Sequence, residues 1–322
     1  MSSINALLKP RSIAIIGASR RPGKIGHEIL RNIIYFGFGG RVYPVNPNAE
    51  RILGLKCYPS VRKIRGKVDL AVISIPAEAT IDAVEECGQK NVKVAVVISS
   101  GFREVGRADL EDKLVRKAGE YGVRILGPNV FGVIYTPSKL NASFGPLKVY
   151  PGRIAFITQS GALGIALMGY TILEKIGLSA VVSVGNKADI DDVELMEYFS
   201  RDKNTSVILI YMESVKDGRK FLRTAMEASL RKPIIVIKAG KTVEGSRAAE
   251  SHTGALTGSY EAYSAAFKQA GILEALTMGE AFNWARMLAS EFKPLEEEVL
   301  IITNGGGAGV LAADMASKCG LP

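Results

Sequence analysis

Short runs of β-branched and aliphatic residues recur along this chain, and a helix-length segment follows each one. "SIAIIG", "RVYPVN", "VDLAVISIP" and "VKVAVVISSG" form one series, and "RIAFITQSG", "LSAVVSVG", "SVILIYME" and "KPIIVIKAG" form another. An unbroken apolar run suits a strand covered on both faces. Alternation with helices requires parallel pairing, because a parallel partner is reached only through a crossover. Right-handed crossovers then bring the C-terminal strand ends and their loops to one edge of each sheet, where such sheets bind ligands. The chain is therefore expected to be α/β, with doubly wound domains over residues 1–150 and 151–293.

A third series begins and stops. "KPLEEEV" reads as a linker, "VLIITNGGG" as a strand and "AGVLAADMASK" as the opening of a helix. Thr158, Gln159, Gly161 and Gly164 align with Thr303, Asn304, Gly306 and Gly309, a repeat of one strand-turn-helix unit. Residues 294–322 are thus expected to be a linker and the first βα unit of a truncated third domain, since one strand and one helix cannot bury a core of their own.

Lys and Arg number 41 against 32 Asp and Glu, a net charge of +9. The two signs are interspersed, with no zinc finger, basic zipper or aromatic RNA-binding pattern, so nucleic acid is not expected as a partner. Cys57, Cys87 and Cys319 are odd in number and far apart, which suggests neither a disulfide framework nor a metal site. No signal-peptide pattern and no apolar run of about 18 residues appears, so the expected location is cytoplasmic, away from membranes.

Chemistry concentrates at strand ends. "GASRRPGKIG" follows the first strand and opens a helix. Gly17, Gly23 and Gly26 give the backbone room to approach a pyrophosphate at the helix N-terminus, Ala18 and Ser19 are candidate contacts in the same turn, and Arg20, Arg21 and Lys24 add charge. The spacing is not GxGxxG, and the second strand ends in Asn46 rather than the acid an NAD ribose requires. An adenosine-phosphate ligand is favoured over NAD, with a purely structural glycine turn as the alternative. Ile75, Pro76, Ser99, Ser100 and Gly101 should line the same edge, and Pro128 and Asn129 of "GPNVFG" would bring backbone near an acyl group or thiol. "VIKAGKT" lacks the first glycine of a Walker A loop, so no nucleotide triphosphate loop remains.

His252 is one of only two histidines. It lies in "AESHTGALTGSY", among glycines and hydroxyls and ahead of a helix beginning near Ser259. Free helix N–H groups and tight turns suit a phosphorylated imidazole, and a neutral histidine becomes an effective nucleophile when an acid fixes its tautomer. Glu213, at the end of "ILIYME", is the candidate acid. His27 has no such company and reads as structural.

Taken in order, "GASRRPGKIG", "PVNP", "GPNVFG", "TQSGALG" and "ESHTGALTGS" resemble the α subunit of ADP-forming acyl-CoA synthetases (acetate–CoA ligases), in the succinyl-CoA synthetase superfamily. The resemblance implies a Rossmann-like CoA-binding domain, a flavodoxin-like domain carrying the phosphohistidine, and the start of a second flavodoxin-like domain. It implies that acyl-CoA, ADP and phosphate are interconverted with carboxylic acid, CoA and ATP through an acyl phosphate and phosphorylated His252. Glu213 would pair with that histidine, while Ser160, Gly161, Gly254 and Ala255 would hold phosphate. It also implies an ATP-grasp β partner that binds ADP or ATP with Mg2+, hence a hetero-oligomer. The alternative is a non-catalytic CoA-binding or regulatory module, whose mark would be loss of the histidine or its acid; both are present.

Overall fold

The computed structural model describes residues 3–242, 244, 245, 247, 258–290 and 298–321. The chain divides into two compact units, 1–289 and 290–322.

In the first unit, the helix α1 (Ser3–Leu8) precedes β1 (Ser12–Ile16), α2 (Ile25–Tyr35) and β2 (Arg41–Val45). A short antiparallel pair follows, β3 (Arg51–Ile52) with β4 (Leu55–Lys56). Then come β5 (Leu70–Ile73), α3 (Ala77–Gln89), β6 (Val94–Val97), α4 (Ala108–Glu120) and β7 (Arg124–Leu126). The parallel sheet has the order β2-β1-β5-β6-β7. The chain winds outward from β1 to β2 and then the other way from β5. The crevice at the β1/β5 switch therefore lies beside the Gly17 turn and Ser74–Pro76.

The second sheet begins with β8 (Gly132–Tyr135) and β9 (Leu140–Ser143), and continues with β10 (Pro151–Thr158), α5 (Gly161–Leu173), β11 (Leu178–Ser183) and α6 (Asp192–Arg201). It goes on through β12 (Val207–Met212), α7 (Gly218–Ser229), β13 (Ile234–Lys238), α8 (Tyr260–Ala270), β14 (Leu273–Glu274) and α9 (Met278–Leu288). Its order is β14-β13-β12-β10-β11-β8-β9. Strands β10 to β14 are parallel, whereas β8 pairs antiparallel with β11 and β9 with β8. Residues 132–143 thus complete the edge of a sheet otherwise built after residue 150. The β10/β12 switch point puts Gly161 and Glu213 on either side of one crevice.

Period-2 alternation sorts side chains between cores. Ile13 and Ile15 of β1 and Ala155 and Ile157 of β10 enter one core shared by both sheets. Ala14 and Ile16 pack beneath α3 and α4 with Val84 and Leu114. Ile154 and Phe156 face α9, where Phe156 meets Phe282 edge-on at 5.7 Å. Each fully buried Ile, Val, Leu or Phe side chain among these contributes about 1.5–3 kcal/mol. The helices of the second sheet start on hydrogen-bonding caps. Ser160, Asp191, Asp217, Ser259 and Thr277 accept from Leu163, Glu194, Lys220, Ala262 and Glu280, and each cap is worth about 1 kcal/mol.

In the second unit, α10 (Gly306–Lys318) forms as the repeat suggests. The expected strand at "VLIIT" does not: residues 298–303 carry no strand pairing, and Leu300 and Ile302 are 83% and 86% exposed. A strand exists only by hydrogen-bonding a neighbour, and among the described residues nothing pairs with this one. No described helix is long and apolar enough to cross a membrane.

Candidate active site

The turn after β1 is built by close backbone approach. Gly17 has φ +92°, and a Cβ there would sit 2.5 Å from the Ser74 carbonyl oxygen. Only glycine lets the turn nest against the end of β5. Asn46 braces it, donating to the Ala18 carbonyl at 2.7 Å and accepting from the Asn48 N–H at 2.8 Å. His27, buried, meets the Ser19 carbonyl through Nδ1 at 2.9 Å, the structural role expected of it. Arg20, Arg21 and Lys24 are exposed. Arg20 borders a second open cleft of about 620 Å³ with Asn48, Glu50 and Arg51.

The strand ends of the first sheet meet the helix of the second in a cleft of about 550 Å³. Ile75, Pro76, Ser99, Ser100 and Asn129 line one side, with Gly161, Ala162 and Ile165 of α5 across from them and Phe131 and Phe144 between. Ser160 caps α5 through the Leu163 N–H at 3.3 Å, leaving the first-turn N–H groups and the positive dipole end at this cleft. Gly164 makes that docking possible, since a Cβ there would fall 2.7 Å from the Phe131 ring.

Gly101 and Pro128 do not line the cleft; they support it. The Gly101 N–H donates to Glu104 at 2.6 Å, and the Pro128 carbonyl accepts from the Asn186 N–H at 3.1 Å. The Asn186 side chain donates to Glu104 at 2.6 Å and Glu111 at 2.8 Å, tying the two sheets together at their functional edges. Burial alone would raise the Glu104 carboxyl. The hydrogen bonds from Asn186 and from the Gly101 and Phe102 N–H groups outweigh it and hold the group below its ordinary value.

Glu213 sits just past β12 and is 6% exposed. Gln159, at the end of β10, accepts from the Glu213 N–H at 2.9 Å. The Tyr211 phenol is pushed up to about 12 by burial and then by the neighbouring Glu213 carboxylate, as expected beside an anion. Lys238, at the end of β13 and 2% exposed, donates to the Glu213 carbonyl at 2.9 Å. Burial lowers its ammonium to about 8, against the favourable field of Glu213. Gln159 and Lys238 are neighbours of Glu213 that sequence reading missed. The available signal was polarity in apolar strand runs, as in "FITQ" and "IIVIK". His252, Gly254 and Ala255 lie outside the described residues.

Comparison with known proteins bears on the whole chain. Residues 11–136 match the CoA binding domain family, and residues 151–288 match the succinyl-CoA ligase like flavodoxin domain family. The α subunit of ADP-forming acetate–CoA ligase I from Pyrococcus furiosus is 59% identical over 325 residues, covering 99% of this chain and 70% of the relative. The ADP-forming acetate–CoA ligase I of Archaeoglobus fulgidus is 49% identical over 318 residues, and the match spans only 46% of its length. The solved structure of the dinucleotide-forming acetyl-coenzyme A synthetase 1 of Ca. Korarchaeum cryptofilum, in complex with phosphate and ADP, superposes with a TM-score of 0.95 at 53% identity. That superposition covers 100% of this chain and 70% of the solved one.

Proposed function

The chain belongs to the ADP-forming acyl-CoA synthetase family of the succinyl-CoA synthetase superfamily, and on that premise we propose that it is the α subunit of an acid–CoA ligase. The reaction interconverts acyl-CoA, ADP and phosphate with carboxylic acid, CoA and ATP. The observation that carries this reading is the 550 Å³ cleft, where the strand ends expected to hold CoA meet the capped N-terminus of α5. A thioester lying along Ile75, Pro76, Ser99, Ser100 and Asn129 would present its carbonyl to a phosphate on Ser160 and Gly161. A helix N-terminus is suited to hold that anion.

Chemically, a phosphate oxygen attacks the thioester carbon and the C–S bond breaks. CoA leaves as a thiolate that takes up a proton, and an acyl phosphate remains. An imidazole nitrogen of His252 attacks phosphorus, and the carboxylate departs as the P–O bond to the acyl group breaks. A terminal oxygen of ADP then attacks the phosphoimidazole, the N–P bond breaks, and ATP and neutral histidine result. Glu213 stabilises the imidazolium that develops during transfer, with Gly254 and Ala255 contacting the phosphoryl group. Gly17, Ala18, Ser19, Arg20, Arg21, Lys24 and the Asn46 brace bind CoA phosphates, with Gly101, Pro128 and Asn129 shaping the thiol end.

In this reading residues 1–150 bind CoA, 151–293 carry the phosphoryl group, and 294–322 open a third domain. Nucleotide and Mg2+ belong to an ATP-grasp β partner in a cytoplasmic hetero-oligomer. Incubation with that partner, ATP and Mg2+ should place acid-labile, base-stable phosphate on His252. A folded, partnered chain that takes up no label, or takes it elsewhere, refutes the assignment.

A further inference from the structure

The segment that leaves β12 is held by side chains at every backbone polar group from Glu213 N–H to Val215 N–H. Gln159 Oε1 accepts from the Glu213 N–H at 2.9 Å and the Ser214 N–H at 3.1 Å. Lys238 Nζ donates to the Glu213 carbonyl at 2.9 Å, and Lys187 Nζ to the Ser214 carbonyl at 2.5 Å. Tyr263 Oη accepts from the Val215 N–H at 3.0 Å. Gln159 Nε2 also donates to the Ser214 hydroxyl at 3.2 Å. These groups come from the end of β10, the loop after β11, the end of β13 and α8.

A strand exit that only has to turn hands its backbone to water or to a short Asn, Asp or Ser side chain. Here the partners include two ammonium groups, each 2% exposed, and burying such charges is costly. Lys187 is neutralised by Asp192 at 3.0 Å. Lys238 forms no ion pair among the described residues. It donates to the carbonyls of Glu213 and Ala239 and lies 4.5 Å over the Tyr263 ring. The acid that most strongly favours its charged form is Glu213, ahead of Glu274.

We propose that Gln159, Lys187, Lys238 and Tyr263 are positioning residues for phosphoryl transfer, locking the main chain of Glu213–Val215 so that the Glu213 carboxylate meets its imidazole in one orientation. The proposal rests on the reading above that Glu213 supports His252. The chemical need is orientation, because a catalytic group misplaced by about 1 Å loses on the order of 100-fold in rate.

The test is single-turnover labelling of His252 from acetyl-CoA and radiolabelled phosphate, using this chain assembled with its partner subunit. Wild type, Glu213→Gln, Lys238→Met and Tyr263→Phe are compared over a range of acetyl-CoA concentrations. Lys238→Met should slow labelling about 10–100-fold and Tyr263→Phe about 3–10-fold, with half-saturation by acetyl-CoA unchanged, because orientation and not CoA binding is lost. Tyr263→Phe, which removes one hydroxyl, decides the matter should Lys238→Met not fold by circular dichroism. Labelling of folded variants at the wild-type rate, while Glu213→Gln is impaired, overturns the proposal and leaves the functional reading intact. Weakened acetyl-CoA saturation in step with the rate also overturns it, since that marks general structural damage. A wild type labelled neither from acetyl-CoA and phosphate nor from ATP and Mg2+ removes the functional reading and the proposal with it.

Discussion

Replacing Lys238 by Met should change the pH dependence of stability in a calculable way. The ammonium is 2% exposed and burial lowers it from 10.5 to about 8. Glu213 and Glu274 favour its charged form, and Lys187 and Lys241 oppose it. In the unfolded chain the group keeps its ordinary value near 10.5. Between about pH 8 and 10.5 the unfolded state therefore binds more protons than the folded one, and stability rises with pH. Below pH 8 both states are protonated and the burial penalty stands in full.

A fall from 10.5 to about 8 makes the full effect about 3 kcal/mol, most of which develops between pH 7 and 10. Lys238→Met also deletes hydrogen bonds to two carbonyls. That loss is an offset common to all pH values, while the slope belongs to the proton. Denaturant unfolding of both proteins at pH 7, 8, 9 and 10 measures it, because titrating groups that do not interact with Lys238 cancel in the difference. The wild type should gain about 2–3 kcal/mol on the variant across that range. A difference independent of pH would show that Lys238 titrates normally, and that the low-dielectric setting assigned to the β12 exit is wrong.

Gly17→Ala forces a Cβ to 2.5 Å from the Ser74 carbonyl oxygen at φ +92°; it should cost about 1–3 kcal/mol in denaturant unfolding and weaken CoA binding measured by calorimetry. Asn46→Ala frees the Ala18 carbonyl and the Asn48 N–H, so CoA affinity should fall about tenfold in the same titration, the equivalent of about 1.4 kcal/mol. Arg124 grips Asp189 at 2.8 Å and Glu194 at 2.7 Å, and all three side chains are partly exposed. After solvent screening, Arg124→Met should destabilise by about 1–2 kcal/mol in chemical unfolding, and less at high salt.

Much of this molecule is legible from local chemistry. Apolar runs such as "SIAII" and "IIVIK" bounded by turn residues, with helical segments between them, leave a parallel α/β arrangement as the economical solution. Ser160 and Ser259 announce helix starts by the same short-range logic, because a cap hydrogen bond spans only three residues. Gly17 is recognisable because a strand-to-helix turn needs a residue without a Cβ.

Other features depend on which distant groups become neighbours, and no local period encodes that. Strands β8 and β9 complete the second sheet because the β11 edge offers unpaired backbone, whereas "VLIIT" has equal strand propensity and no described partner, so it stays unpaired. The cleft exists only once Pro76, Ser99 and Asn129 converge on Gly161. Lys187 and Lys238 read in sequence as ordinary charges. Only the fold buries them and turns both toward the backbone beyond β12, since the desolvation that alters an ammonium and the carbonyls that accept from it are supplied by separate segments.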